Sequence, residues 1–411
     1  MKFGKWFILF SFVLLCMTGI AHSAVAQTQG ERPTRDGFIP YDALVDDKGD
    51  IIIVGQTVKE IVLDDDGNHD SKEVIVSVHA GMYVRLTKDF VSKNALLFGN
   101  QTQDGGIVDS AITNVWDWSD GKKLVYVKFD SDIFMSEHQI VDVDSEICTT
   151  NCEGISKVDN AETYTLRKVV GGYLFGGYTY TNTHENWMVQ GDAISFYDTD
   201  FVKKWEICDQ VLEGGRYKKV IETDDSYIFL GDVEKYNGKY YPSAFAVSKN
   251  GVFLWRNDYL EVEYCTIVDG TYLENGNIAL LISGDDNATV HLVDINGSAL
   301  QTHDLYREYS LFNPTSIVEM NSCLIVSGNK AHDTQAALVT IYPGDEGSEI
   351  MEYTKDDNGS KQVTYLVKES NTLAYAYGFV EYDDNIAQVH ESQKYHSFVQ
   401  SIIVKSDKDT N

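Results

Sequence analysis

The stretch RYKKVIETDDSYIFLGD, residues Arg216–Asp232, is the clearest indication of the fold in this chain. It opens with mixed charged and apolar residues, passes through the polar segment Glu-Thr-Asp-Asp, and ends in the apolar run Tyr-Ile-Phe-Leu-Gly. Two short runs rich in β-branched and aromatic residues, separated by turn-forming residues, are typical of paired strands. The stretch therefore predicts a β-hairpin.

The same phrase recurs along the chain at intervals of about fifty residues, which indicates a repeat architecture. Most copies carry a glycine near the end of their second run, as at Gly55, Gly177 and Gly231. The further copies occupy residues 41–56, 164–178, 271–285, 314–329 and 363–379, with a weaker copy at 113–129. One supersecondary unit thus accounts for most of the sequence.

A second pair of strands follows the first in each repeat. The segment DAISFYDTDFVKKWEIC (Asp192–Cys208) aligns with SAFAVSKNGVFLWRND (Ser243–Asp258), which places Trp205 opposite Trp255. The next copy has Asn296-Gly297 in the turn, a pair that favours hairpins because both residues tolerate positive φ. Four antiparallel strands per repeat predict an all-β fold, a seven-bladed β-propeller of four-stranded antiparallel blades. A β-solenoid is the alternative, which ranks lower because ring closure removes exposed sheet edges.

The predicted organisation is a signal peptide at residues 1–26 followed by one propeller domain at residues 27–411. The last repeat lacks an outer strand, and we expect residues 28–39 to supply it. The predicted blades occupy roughly residues 40–100, 110–155, 163–210, 216–260, 264–308, 313–356 and 361–411.

The first 26 residues have the pattern of a secretory leader. Lys2 and Lys5 precede an apolar run, and small residues lead to Ala24-Val25-Ala26. We therefore expect a secreted protein, extracellular or periplasmic, and no later run reaches the roughly 20 apolar residues of a membrane helix. The formal net charge of −30 argues against nucleic acid as a partner, because the phosphate backbone would be repelled.

Two segments carry a resemblance to bacterial secreted propellers. Asn250–Trp255 resembles the glycine-then-tryptophan phrase of quinoprotein-like repeats, and residues 49–57 with 81–99 resemble delta-60-type repeats. Families of this kind include quinone-dependent dehydrogenases, outer-membrane assembly scaffolds and extracellular binding proteins. The dehydrogenases fit poorly, because only Trp205 and Trp255 hold the repeat tryptophan and no two cysteines are adjacent.

An acidic insertion in the first repeat suggests calcium as the only candidate cofactor. Oxygen-bearing side chains alternate there, and calcium prefers six to eight oxygen ligands. An EF-hand loop would have glycine at its sixth position and glutamate at its twelfth, where this chain has His69 and Ile75. A solvated acidic hairpin is the alternative. The candidate ligands are Asp64, Asp66, Asn68 and Asp70.

The segment Trp116-Asp117-Trp118 predicts a ligand-binding position on the first strand of the second repeat. Aromatic rings beside a carboxylate can stack on the apolar faces of a saccharide, although inter-blade packing explains at least one of the two tryptophans equally well. Lys219 and Tyr365 are added as candidate ligand-binding residues lining the channel. They belong to a predicted inner-strand column of Ala43, Lys219, Thr271, Ser316 and Tyr365, with Trp116 and Lys168 placed less securely.

The cysteines do not define a metal site or a disulfide framework. Cys148 and Cys152 are spaced for a local disulfide or two free thiols, and no second pair completes a zinc site. The pairing of the remaining cysteines, Cys208, Cys265 and Cys323, is left open by the sequence.

No catalytic residue is identified, because the chain lacks HExxH, GxSxG and P-loop patterns. These observations favour a non-catalytic extracellular protein that binds a protein or a carbohydrate at the cell surface. The alternative is a secreted hydrolase or lyase acting on polysaccharide, with carboxylates and aromatic residues at the channel mouth.

Overall fold

A computed structural model of the chain describes most of the sequence after residue 25. The described residues are 26–36, 38–46, 48–63, 74–87, 92–98, 100–101, 107–108, 110–118, 121–129, 137–142, 147–149, 162–183, 186–208, 215–235, 237–284, 287–320, 322–330, 335–341, 348–353, 360–369, 372–382 and 393–404. These residues form seven four-stranded antiparallel sheets and one small two-stranded sheet. One short helix, α1 (Leu305–Tyr309), lies within the described ranges.

The four-stranded sheets are labelled A to G in chain order. The first strand, β1 (Ala26–Asp36), belongs to the last sheet. Sheet A contains β2 (Phe38–Val45), β3 (Ile51–Leu63), β4 (Val74–Leu86) and β5 (Ser92–Phe98). The small sheet contains β6 (Asn100–Gln101) and β7 (Ile107–Val108). Sheet B contains β8 (Ser110–Asp117), β9 (Lys123–Phe129), β10 (Glu137–Asp142) and β11 (Ile147–Thr149). Sheet C contains β12 (Glu162–Val169), β13 (Gly172–Thr183), β14 (Asn186–Asp198) and β15 (Lys203–Cys208).

The second half of the chain continues this pattern. Sheet D contains β16 (Gly215–Glu222), β17 (Ser226–Glu234), β18 (Tyr240–Ser248) and β19 (Phe253–Asp258). Sheet E contains β20 (Cys265–Tyr272), β21 (Ile278–Gly284), β22 (Asn287–Val293) and β23 (Ala299–Asp304). Sheet F contains β24 (Leu311–Met320), β25 (Cys323–Lys330), β26 (Gln335–Ile341) and β27 (Ser348–Tyr353). Sheet G contains β28 (Ser360–Glu369), β29 (Thr372–Tyr382), β30 (Gln393–Val404) and β1, in the order β1-β30-β29-β28.

The first strand of each sheet packs beside the first strand of the next sheet, from β2 through β8, β12, β16, β20 and β24 to β28. β28 in turn contacts β2, so the series closes on itself. Radial four-stranded sheets around a closed ring of inner strands define a β-propeller. The inner strands therefore surround a central channel.

Alternating residues of each strand fill the spaces on both sides of a sheet. In β17, Ile228 and Leu230 join the apolar core between sheets D and E, whereas Tyr227 and Phe229 join the core between sheets C and D. Successive side chains of a strand point to opposite faces, so a sheet packed on both faces needs apolar residues at every position. This requirement explains the uninterrupted apolar runs at the centre of each repeat.

The ring closes through the two ends of the described chain. β1 pairs antiparallel with β30, with Gln27 opposite Ile403 and Pro33 opposite Phe398. The prediction that a segment before the first repeat completes the last sheet is therefore confirmed. Its boundaries shift, because the strand is Ala26–Asp36 and Phe38 already begins β2.

The predicted fold class, a regular seven-bladed propeller with one repeat of about fifty residues per blade, requires correction. The fourth strand of sheet B is only 3 residues long, whereas β3 and β4 of sheet A each have 13 residues. The chain also adds the β6–β7 sheet, which no copy of the repeat predicts. The repeat describes the inner hairpin well, but outer strands and insertions vary because fewer neighbours constrain them. The all-β propeller with four-stranded sheets remains.

Two tryptophans connect sheets C, D and E. The indole Nε1 of Trp205 donates to the carbonyl of Lys249, and that of Trp255 donates to the carbonyl of Ile295. Each ring also packs on the turn glycine that follows its acceptor residue by two positions. Trp205 packs on Gly251 and Trp255 packs on Gly297. The alignment of Trp205 with Trp255 in the sequence thus reflects one repeated inter-sheet contact.

Candidate ligand site in the central channel

Every inner strand has a break in its register with the second strand of its sheet, at a similar level of the channel. The break adds at least one residue to the inner strand, as Tyr41 in β2 and Lys218 in β16 show. The residue types that resume pairing after the break are all polar. They are Asp42, Asn114, Thr165, Lys219, Asp269, Ser316 and Tyr365.

This register corrects the inner-strand column expected from the sequence. Lys219, Ser316 and Tyr365 do occupy equivalent positions. The other expected members lie one to three residues beyond the equivalent position in their strands, and these are Ala43, Thr271, Trp116 and Lys168. Turn-based alignment misses this offset, because the distance from the register break to the following turn differs between sheets.

Two equivalent aspartates tie neighbouring sheets together around the channel. The Oδ2 atom of Asp42 accepts the backbone N–H of Val115 at 2.9 Å, which links sheet A to sheet B. The Oδ2 atom of Asp269 accepts the backbone N–H of Ile317 at 2.9 Å, which links sheet E to sheet F. The same carboxylate-to-backbone contact is thus made at two places in the ring.

A cavity of about 430 Å³ opens in the channel wall formed by sheets A to D. It contains residues from four inner strands, mostly near their ends. The lining residues are Asp42, Ala43, Leu44, Asn114, Val115, Trp116, Asp117, Arg167, Lys168, Lys218, Lys219 and Val220. Three of the residues expected to bind a ligand, Trp116, Asp117 and Lys219, meet in this cavity.

The cavity contains four cationic side chains, from Arg167, Lys168, Lys218 and Lys219, against two carboxylates. Lys168 and Lys218 are exposed to the cavity, and among the described residues neither ammonium group has an ion-pair partner. Arg167 donates to the carbonyl of Val220, which fixes its guanidinium against sheet D. Its position among the inner strands lowers the pKa of Arg167 by desolvation, although water reaches the side chain through the channel.

The two carboxylates of the cavity both have structural partners. The Oδ1 atom of Asp42 also accepts a hydrogen bond from the backbone N–H of Ala43. Asp117 forms an ion pair with Lys123, with 2.7 Å between Oδ1 and Nζ. The Lys123 side chain is only 1% exposed, so Asp117 compensates a buried ammonium group. The role of these acids in the fold therefore accounts for their positions.

Trp118 does not line the cavity. Its ring packs against Tyr173 and Phe201 in the core between sheets B and C, with ring centroids 4.9 and 5.3 Å away. Trp116 contacts the same core and also reaches the cavity. Residues two apart in a strand share a face, so both rings meet this core, but Trp118 follows the end of β8 at Asp117 and is buried, whereas Trp116 is only partly buried.

The remaining candidates fall partly outside the described chain. Tyr365 lies on β28 opposite Ala376, and nothing is described of its side chain. The candidate calcium ligands Asp64, Asp66, Asn68 and Asp70, together with Cys152, lie outside the described residues. The described ranges contain no group of three metal-ligating side chains, and within those ranges Cys265 and Cys323 are buried and take part in no disulfide.

Sequence reasoning missed Asp42, Arg167 and Lys218 as members of the site. No local pattern places Asp42, because the register break beside it is visible only in the pairing of β2 with β3. The grouping of Arg167 with Lys218 depends on how sheet C packs on sheet D, which no local pattern reports.

No family model and no curated protein matches the sequence. Among solved structures, the β-propeller domain of the Trilobed protease from Pyrococcus furiosus is 10% identical over 87% of this chain and 97% of its own, with a TM-score of 0.46. Sqt1 from Chaetomium thermophilum is 8% identical over 92% of this chain and 100% of its own, with a TM-score of 0.45. A Bacteroides caccae protein of unknown function is 15% identical over 54% of this chain and 73% of its own, with a TM-score of 0.32.

All three scores lie below 0.5, so the strand topology alone defines the class, a β-propeller. The resemblance to quinoprotein-like and delta-60-type repeats stays a prediction. The described residues also contain no apolar helix long enough to cross a bilayer.

Proposed function

We propose that this chain is a non-catalytic extracellular binding protein whose channel cavity holds an acidic saccharide. The single observation that carries the proposal is the charge of the cavity. Four cationic side chains meet there in a chain whose net charge is −30. These four cations outnumber the two carboxylates of the cavity, Asp42 and Asp117, and an excess of positive charge between low-dielectric walls attracts anions.

Lys168 and Lys218 are the groups best suited to contact the ligand. Both are exposed to the cavity and have no ion-pair partner among the described residues, so a ligand anion would not displace an existing contact. Lys219 lies deeper, where its charge acts on Asp42. A carboxylate-bearing ligand would pair with the two outer amines while its ring system extends into the channel.

Trp116 supports a saccharide over a simple inorganic anion. Its ring reaches the cavity from the apolar core that also contains Tyr173. An indole held by a core offers a rigid apolar surface on which the C–H face of a sugar ring stacks. Ion pairing with stacking therefore favours an acidic sugar over phosphate or sulfate alone.

The test is titration calorimetry of the protein with oligogalacturonate at low ionic strength, beside the neutral oligogalactose. We expect the acidic sugar to bind and the neutral sugar to bind much more weakly. The double variant Lys168→Gln/Lys218→Gln should weaken binding about tenfold, because each exposed charge contact contributes about 0.5–1 kcal/mol. Raised salt should weaken wild-type binding as well.

Lys204→Gln is the matched control, because Lys204 is an exposed lysine on the outermost strand of sheet C. Equal losses in the control and the double variant would contradict the cavity as the site. New reducing ends or unsaturated products in the titration mixture would replace the binding proposal with the polysaccharide hydrolase or lyase.

A further inference from the structure

In sheets A, C, D and E, the fourth, outermost strand has a bulge where it pairs with the third strand, so that one residue of the fourth strand is extra. In sheets A and C the extra residue is a lysine paired with a carboxylate, Lys93 with Asp50 at 2.7 Å and Lys204 with Asp198 at 2.6 Å. In sheets D and E it is instead a leucine. Leu254 is 50% exposed and Leu300 is 55% exposed. Two sheets thus present apolar side chains where two others present paired charges.

Leu254 forms one wall of a second cavity, of about 420 Å³, between sheets D and E. We call it the D–E groove. Its lining residues are Thr223, Asp224, Asp225, Ser226, Leu254, Trp255, Tyr272, Ile295 and Asn296. The groove is separate from the channel cavity, with which it shares no lining residue.

The apolar part of the groove is exposed but held in place. Ile295 is 39% exposed and Tyr272 is 37% exposed. The indole of Trp255 is fixed by its 2.8 Å hydrogen bond to the carbonyl of Ile295 and by its contact with Gly297. An exposed apolar surface on a rigid support is typical of protein-binding sites, because little ordering is lost when a partner binds.

The rim of the groove is acidic. Thr223 and Ser226 satisfy each other within the β16–β17 turn, which leaves the exposed carboxylates of Asp224 and Asp225 beside the apolar wall. Lys249, whose backbone N–H donates to the carbonyl of Asp225, is already paired through its side chain with Glu222 at 2.6 Å and lies over the Tyr227 ring. Among the described residues, neither Asp224 nor Asp225 has a basic partner.

We propose that the D–E groove binds a segment of a partner protein in which a bulky apolar side chain is flanked by lysine or arginine. The apolar side chain would pack on Leu254, Tyr272 and Ile295, and the basic groups would pair with the acidic rim. A second copy of this chain is a poor occupant, because its net charge of −30 opposes self-association. The proposal does not depend on the saccharide in the channel.

The experiment measures fluorescence anisotropy of two labelled peptides, acetyl-Lys-Leu-Phe-Lys-amide and its glutamate counterpart, with the full chain. We expect only the lysine peptide to bind. Leu254→Ser should weaken binding about tenfold through lost apolar contact. Asp224→Asn/Asp225→Asn should weaken it about fivefold through lost charge.

Matched controls separate the groove from general attraction to an acidic surface. Leu300→Ser changes the equivalent leucine of the next sheet, and Asp200→Asn/Glu234→Gln removes two exposed carboxylates elsewhere. Both should bind as wild type does, and thermal melts should show that every variant is folded. Equal binding of both peptides, binding of neither, or equal losses in the controls would overturn the proposal. The proposal would also be overturned if the wild-type protein formed dimers and Leu254→Ser made it monomeric, because the groove would then be an interface between two copies of this chain.

Discussion

Asp42 lies in the wall of the channel, and burial raises the pKa of its carboxyl group to about 6. The charge of Lys219 and the backbone N–H groups of Val115 and Ala43 oppose this rise, whereas the charge of Asp269 adds to it. The folded state therefore binds the proton more tightly than an unfolded chain does. The contribution of Asp42 to stability is complete below about pH 4 and is lost as the pH rises through about 6.

The charge of Asp42 should make ligand binding depend on pH. Between about pH 7.5 and about pH 5.5 the carboxylate takes up a proton, and the cavity loses a negative charge. We expect the affinity for oligogalacturonate to rise about threefold over this interval, measured by calorimetry. Asp42→Asn should bind with nearly the same affinity at both pH values. An equally steep pH dependence in that variant would show that another group titrates.

At the scale of elements, turns and tryptophans decide how neighbouring sheets meet. The turn between β18 and β19 brings Gly251 under the ring of Trp205, and the turn between β22 and β23 brings Gly297 under Trp255. Both glycines have positive φ, at 78° and 79°, where glycine is favoured. The turn residue therefore serves two purposes, because it permits the local conformation and leaves room for the indole.

Gly251→Ala should destabilise the protein by about 2–4 kcal/mol. A Cβ atom at this position would lie 2.5 Å from Cγ of Trp205, in addition to the cost of the positive φ. Gly276→Ala is the matched control, since Gly276 also has a positive φ but its Cβ would have no neighbour closer than 3.9 Å. The control should lose only about 1 kcal/mol. Urea unfolding of both variants measures the difference, and equal losses would show that the indole contact has no effect.

At the scale of the whole molecule, closure of the ring depends on β1. This strand forms the outer edge of sheet G, while β28 of the same sheet contacts both β24 and β2. The first and the last described strands, β1 and β30, are thus needed in one sheet. Closure hides strand edges that would otherwise pair with other chains.

Deleting residues 26–36 should therefore weaken the entire ring. We expect the melting temperature to fall by about 5 °C or more, and aggregation to increase because the edge of β30 is uncovered. A synthetic peptide of residues 26–36, added in excess, should restore part of the loss by pairing with β30. Differential scanning calorimetry with light scattering measures both effects. An unchanged melting temperature would show that β1 does not stabilise the ring.

Local patterns could predict much of the fold. The inner hairpin of each repeat, the Asn-Gly turn at Asn296-Gly297 and the missing outer strand of the last repeat follow from alternation and turn chemistry, which act between residues close in sequence. The acidic insertion with Asp64 and Asp70, the secretory leader and the repeat family stay predictions, because no described residue or comparison tests them.

Local sequence patterns are enough to predict that four-stranded antiparallel units repeat along the chain and that a segment before the first repeat completes the last sheet. The packing of the sheets is needed to show that Arg167 and Lys218, from different sheets, share a cavity with Trp116, and that Trp118 belongs to the core. The same packing shows that Leu254 faces solvent at the bulge position where Lys204 of another sheet is paired with Asp198. Local patterns cannot report these placements because they depend on strand register, and one extra residue in a strand changes which face a side chain occupies and which neighbour it meets.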